Sequence, residues 1–268
     1  RMSIPTPTIQ DTADDLGIVV LDDLGDITLH RFVGAATDDQ RIAQYTEAVD
    51  LIVRMQRKGK EIASPDYLPF TLAFDEDKLM SELEFFVAHF LVEYSNANIV
   101  KTDRTALREE FRIVVQELAS QRRVLCHRDY HSRNLMLHDG KLHVIDFQDA
   151  RMGPDTYDLV SLLRDCYVDH DTTFVTRLVA HYHKRMDTSV DSSYLERFDL
   201  MSVQRHLKAL GTFGYQITTT GSTEYVTAIS RTLRYLADVF RRRSRFNRLR
   251  TILTTHVSDL DRREVVNY

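Results

Sequence analysis

Three polar residues carry most of the chemistry this chain could perform: Asp129, Asn134 and Asp146. The first two lie in Cys126-His127-Arg128-Asp129-Tyr130-His131-Ser132-Arg133-Asn134, and the third in Val144-Ile145-Asp146-Phe147. H-R-D-x-x-x-x-N followed by I-D-F is a pattern suited to phosphoryl transfer from a nucleoside triphosphate. Asp129 would orient an acceptor hydroxyl and take its proton as the new bond forms. Asn134 and Asp146 would share Mg2+ on the nucleotide phosphates, because that ion takes few protein oxygens and fills its shell with water and phosphate.

Those roles require a particular local fold. The apolar runs Leu135-Met136-Leu137 and Leu142-His143-Val144-Ile145 flank Asp139-Gly140, a strong two-residue hairpin signal. With the turn centred there, Asn134 falls opposite Ile145, and Asp146 is one step beyond. Both metal ligands then meet at the open end of one hairpin, with Asp129 on the loop before it. A competing reading takes His127-x-Asp129-x-His131 as ligand spacing for a zinc or iron hydrolase. Arg128 and Arg133 put positive charge beside such a metal, which disfavours it. His127 is read instead as a buried loop support and His131 as a residue near phosphate.

Composition bounds the rest. A chain of 268 residues can bury one large core, alone or with a smaller appendage. A formal net charge of -5 argues against a general nucleic-acid binder. Only two cysteines occur, Cys126 and Cys166, which suits a reducing compartment. No apolar run approaches the ~18 residues of a membrane span, and residues 1–11 lack the apolar core of a secretory signal. The expectation is a cytoplasmic enzyme with no membrane partner; oligomeric state is not legible.

Along the chain, residues 16–21 read as an apolar strand that Asp22-Asp23-Leu24-Gly25 ends. Ile42, Tyr45, Val49, Ile52 and Met55 recur at helical spacing, with Gly59 as the expected stop. Leu79, Leu83, Phe86 and Phe90 mark a second helix, and Leu107, Phe111, Val114 and Leu118 a third. After the hairpin, Asp155 is expected to open a helix through Leu159, Leu162, Leu163 and Tyr167, with further helices to about Val257. Arg241-Arg242-Arg243 with Arg245, Arg248 and Arg250 reads first as a solvated helix face, and second as a docking surface for an acidic partner.

These residues resemble the aminoglycoside phosphotransferase and choline kinase-like family, whose fold is related to protein kinases. Within it the chain is most similar to bacterial sugar kinases that phosphorylate N-acetylmuramate and N-acetylglucosamine at the anomeric hydroxyl. The likeness runs through residues 126–136, 144–150 and 153–165, with weaker agreement at 204–208 and 231–236. Residues 20–25 resemble the hinge between the two kinase lobes. The resemblance implies an α+β protein kinase-like fold, with a mainly helical C-lobe holding the small catalytic β-hairpin. It implies ATP and Mg2+, with Asp129 as base, Asn134 and Asp146 as metal ligands, and the backbone around Asp22, Asp23 and Leu24 against adenine. It gives Asp158 as a brace for the catalytic loop, although a first-turn carboxylate favoured by the helix dipole is an equal reading. Asp149 reads first as an exposed loop acid, and second as a group that assists with metal or acceptor. Arg164, Asp165, Arg205 and His206 are the candidates for the acceptor side.

One departure from the family pattern stands out. Kinases of this type carry a Gly-rich loop and a lysine ahead of the hinge, whereas only about twenty residues precede it here and Lys58 is the first lysine. The expectation is therefore a remnant of N-lobe and hinge at 1–26, a C-lobe at 27–268, an N-lobe largely absent from the chain, and poor turnover by the chain alone. The function implied is ATP-dependent phosphorylation of a small-molecule hydroxyl, with an amino sugar favoured. The alternatives are an aminoglycoside or choline-type kinase and a truncated, non-catalytic pseudokinase module. Retention of Asp129, Asn134 and Asp146 together favours catalysis.

Overall fold

The computed structural model describes residues 2–260. A hairpin of β1 (Ile9–Ala13) and β2 (Ile18–Leu21) comes first, turned by a 3-10 segment at Asp14–Leu16 and by Gly17 at φ 65°. The expected strand over 16–21 therefore starts later, and β1, which is polar and exposed, carried no apolar pattern to announce it. Short helix α1 (Leu29–Val33) precedes the long α2 (Asp38–Ile62). α2 opens with a capping box: the Thr37 hydroxyl accepts the Gln40 N–H, and the Gln40 side chain accepts the Thr37 N–H. Next come α3 (Glu76–Phe86), a π-helical continuation at Val87–Tyr94, and α4 (Lys101–Ser120). Four strands follow: β3 (Arg123–Cys126), β4 (Leu135–His138), β5 (Lys141–Val144) and β6 (Arg151–Pro154). The remaining helices are α5 (Tyr157–Leu163), α6 (Thr172–Met186), α7 (Ser192–Thr220), α8 (Val226–Arg242) and α9 (Asn247–His256). Among the described residues, no helix is long and apolar enough to cross a membrane.

The chain forms two compact units. The first is built from residues 2–73 and 123–192. In it α2 packs on α6 and β3, β3 pairs antiparallel with β6, and β4 pairs antiparallel with β5. Tyr45, Val49, Ile52, Leu135, Leu142, Leu159 and Leu163 fill its core. Gly59 does not stop α2; it lies inside the helix, where an added Cβ would sit 2.8 Å from Leu125 Cβ. The glycine is there for close helix–strand approach, which sequence periodicity does not distinguish from a cap. α5 ends before Tyr167, because the Asp165 carboxylate accepts the Tyr167 N–H at 2.8 Å and turns the chain.

Buried His170 gives this unit a pH dependence. Burial, reinforced by the Arg41 guanidinium 2.7 Å from Nδ1, lowers its pKa to about 4. Between about pH 4 and 6.5 the unfolded chain therefore holds a proton that the folded chain does not. The stability at stake is fully present above pH 6.5 and is lost as pH falls toward 4. Urea unfolding at pH 7 and pH 5 should show a loss of roughly 1–2 kcal/mol in the native protein that His170→Gln does not share.

The second unit comprises residues 74–122 and 193–260. Leu83, Phe86, Phe90, Phe111, Leu118, Leu210, Phe213 and Leu236 are buried in it, and the Phe86 and Phe90 rings stack at 5.6 Å. The π-helical stretch closes with the Ser95 N–H on the Phe90 carbonyl at 2.9 Å. A Cβ built at Gly214 would lie 2.4 Å from the His89 carbonyl oxygen, so α7 touches the π stretch backbone to backbone. Gly214→Ala should destabilise by about 2–3 kcal/mol, read as a lower urea midpoint, since a carbonyl cannot move aside as a side-chain tip can. The arginine run is tied down within the unit. Arg242 and Arg243 both reach Asp199, at 2.8 and 2.7 Å. Arg245 holds Glu117, and Arg248 holds Glu109 and Glu110. Arg241, Arg242 and Arg248 stay about half exposed, so the run is a solvated face as expected, anchored by acids distant in sequence.

Candidate active site

Asp129, Asn134 and Asp146 all belong to the first unit. Asp139 (φ 49°) and Gly140 (φ 74°) make the turn, both in left-handed backbone as a type I′ hairpin requires. The register runs from His138 against Lys141 to Leu135 against Val144. One step further, the Ile145 N–H donates to the Asn134 carbonyl at 3.1 Å. The Asn134 amide nitrogen then donates to Asp146 Oδ2 at 3.1 Å and to the Asp129 carbonyl at 3.0 Å. Three residues spread over eighteen positions thus converge on one amide group. The other Asp146 oxygen accepts the Gln148 side-chain amide at 2.6 Å. Asn134 Oδ1 and the Asp146 carboxylate are hard oxygen donors, whose chemistry suits Mg2+ rather than a soft metal.

The loop carrying Asp129 hangs from two buried carboxylates. Asp158, fully buried on α5, accepts the His127 N–H at 2.7 Å and the Arg128 N–H at 3.1 Å. Asp165, also buried, accepts the Ser132 N–H at 2.9 Å with one oxygen and the Tyr167 N–H with the other. That engagement ties Asp165 to the backbone on both sides of the loop. His127 donates from Nε2 to the Ile145 carbonyl at 2.9 Å, tying the end of β3 to the open end of the hairpin. The His131 ring stands edge-on to Tyr167 at 5.2 Å, and the Arg133 guanidinium lies 3.9 Å over the same ring. His127 is therefore turned toward backbone and His131 toward an aromatic ring, and among the described residues no group of three or more His, Cys, Asp or Glu side chains is placed to hold a metal.

The hinge segment is fixed to the same hairpin. The Leu137 N–H donates to the Ile27 carbonyl at 2.7 Å, and His138 Nδ1 lies 3.2 Å from the Leu24 carbonyl. Asp22 accepts the Thr8 N–H at 3.0 Å, and bonds from Thr8 and Gln10 hold its carboxyl below the usual carboxylate range. Asp23 accepts the Gly25 N–H at 2.8 Å. The Asp22 side chain is thus spent on residues 8 and 10, the Asp22 N–H also donates to the Thr8 carbonyl at 3.0 Å, and the Asp23 side chain is spent on its own turn. Lys58, the first lysine, sits on α2 beside Glu61 at 2.6 Å. Arg164 caps the end of α5. Arg205 and His206 belong to the other unit, buried on α7, with His206 stacked on Tyr235 at 5.3 Å.

Residues 3–193, which include Asp129, Asn134 and Asp146, match the phosphotransferase enzyme family. The chain belongs to that family. This phosphotransferase is 33% identical over 267 residues to the N-acetylmuramate/N-acetylglucosamine kinase of Neisseria meningitidis serogroup B, covering 96% of this chain and 77% of the relative. It is 30% identical to the kinase of the same name from Pseudomonas aeruginosa, covering 91% and 71%. Among solved structures, the choline kinase LicA from Streptococcus pneumoniae superposes with a TM-score of 0.61 at 14% identity, over 88% of this chain and 75% of that one. ADP-bound aminoglycoside phosphotransferase APH(2'')-Ib does so at 0.57 and 14%, over 89% and 77%. The fold is that of the protein kinase-like aminoglycoside phosphotransferases, and the phosphotransferase is a small-molecule kinase.

Two groups in this site were not readable from residue types. Asp165 was singled out for the acceptor side, yet its bonds run to loop backbone; its spacing from Ser132 gave no hint of that. Arg128 was read only as charge near the site, whereas the structure places it at φ 88°.

Proposed function

We propose that the phosphotransferase transfers the γ-phosphoryl of ATP to the anomeric hydroxyl of N-acetylmuramate or N-acetylglucosamine, acting in the cytoplasm. The observation that supports this most is the Asn134 amide bonded at once to Asp146 and to the Asp129 backbone. On this reading it would tie the loop of the base to the hairpin end that bears the metal ligands. Asp129 would orient the acceptor hydroxyl and accept its proton. Asn134 Oδ1 and Asp146 would hold Mg2+, which when bound neutralises charge on the phosphates. His127, Asp158 and Asp165 would keep the loop in register, and the backbone of residues 22–24 would meet adenine. The amino-sugar acceptor rests on the relatives' names, supported by the arginines near the catalytic loop, which suit an uncharged or anionic sugar better than a polycationic one.

Purified protein with ATP and magnesium, offered N-acetylmuramate, N-acetylglucosamine, choline and an aminoglycoside, tests the assignment. Acceptor-dependent ADP release with either amino sugar, and with neither other acceptor, is expected. Preference for choline or the aminoglycoside would move the substrate to that class, and acceptor-independent behaviour throughout would favour a non-catalytic module.

A further inference from the structure

Arg128 sits where an arginine is costly. Its φ of 88° lies in the left-handed region that favours glycine, where a side chain is strained. Its backbone is held there by Asp158, and its guanidinium is shared between two carboxylates. Nη1 is bonded to Asp149 Oδ2, and Nε lies 3.9 Å from Asp129 Oδ2. Arg151 flanks the other side of Asp149, with Nη2 3.5 Å from Oδ1 and Nε donating to the Asp149 backbone carbonyl at 3.1 Å. That last bond fixes the Asp149 backbone independently of its side chain.

We propose that Asp149 is a positioning residue that draws the Arg128 guanidinium away from Asp129, keeping the Asp129 carboxylate open to the acceptor hydroxyl. The inference rests on Asp129 serving as the base. Asp149 is half exposed, so a direct part in stability is small. Its effect is exerted through where Arg128 points. Without the Asp149 carboxylate, the Asp129 carboxylate 3.9 Å from Nε is left to attract the guanidinium, and a closer charge-assisted bond there would occupy the oxygen the acceptor needs.

Asp149→Asn should lower kcat about 10-fold, the equivalent of one misplaced hydrogen bond, with the KM values for ATP and acceptor within about 2-fold. Arg128→Gly in the same chain should recover kcat to within about 3-fold of wild type, because it removes the guanidinium and suits the left-handed backbone. A simple anchoring role predicts the opposite, since losing both partners cannot restore an anchor. The proposal is overturned if Asp149→Asn has wild-type kcat, or if the combined variant is no faster than Asp149→Asn. Thermal melts read the pairing without any reaction: the Tm losses of the two single variants should not add, the combined variant melting within about 1 °C of the worse one. Additive losses would overturn the pairing. A wild-type protein that transfers no phosphoryl, or full activity in Asp129→Asn, would instead sink the base assignment, and the melts would still judge the clamp.

Discussion

Asp129→Asn should lower kcat about 10³-fold, within the range that a positioned general base contributes, while the KM for ATP changes less than about 3-fold. The substitution keeps size and hydrogen-bonding shape but cannot accept the hydroxyl proton. It leaves intact the contact on which the metal ligands depend, since Asn134 donates to the Asp129 backbone carbonyl and not to its carboxylate. Asp129 is also partly exposed, so the fold should tolerate the change. Steady-state kinetics with a Tm within about 2 °C of wild type would separate lost chemistry from lost structure. A kcat within 3-fold of wild type would remove Asp129 from the role of base.

Asp158→Ala should be the most damaging single change to the catalytic loop without touching a reacting atom. The carboxylate is fully buried and accepts two backbone N–H bonds, from His127 and Arg128. Each such bond to a charged acceptor is worth about 1.5–3 kcal/mol, and alanine leaves both donors buried and unpaired. A loss of roughly 3–5 kcal/mol in urea unfolding is expected. At a temperature where the variant stays folded, kcat should still fall at least 10-fold, because Arg128 would lose the tether that sustains its left-handed backbone. A melting curve and kcat both close to wild type would show that Asp158 only complements the α5 dipole. The equal weight given to that reading from sequence reflects a real ambiguity: a first-turn aspartate looks the same whether it caps its own helix or reaches into a neighbouring loop.

The catalytic hairpin was legible because its information is local. Asp139-Gly140 dictates the turn, the turn dictates the register, and the register brings Asn134 beside Asp146. The helical stripes were legible for the same reason: Leu107, Phe111, Val114 and Leu118 are all buried on α4. What failed depended on side-chain partners that periodicity does not carry. Gly59 looked like a helix stop until Leu125 was seen against it. Tyr167 looked helical until Asp165 was seen to turn the chain. Arg245 looked solvated until Glu117, from a helix far earlier in sequence, was seen across from it. Periodicity cannot report a partner more than a hundred positions away. The amide hub at Asn134 lies between these extremes, its hairpin half legible and its link to Asp129 not.

The most direct test of the account is the chemical identity of the product. Wild-type protein incubated with ATP, magnesium and N-acetylglucosamine should give, by phosphorus NMR, one new phosphomonoester resonance coupled to the anomeric proton of the sugar. That resonance should vanish with Asp129→Asn. Phosphate attached to any other hydroxyl would contradict the proposed acceptor position, and an undiminished signal from Asp129→Asn would contradict the proposed chemistry.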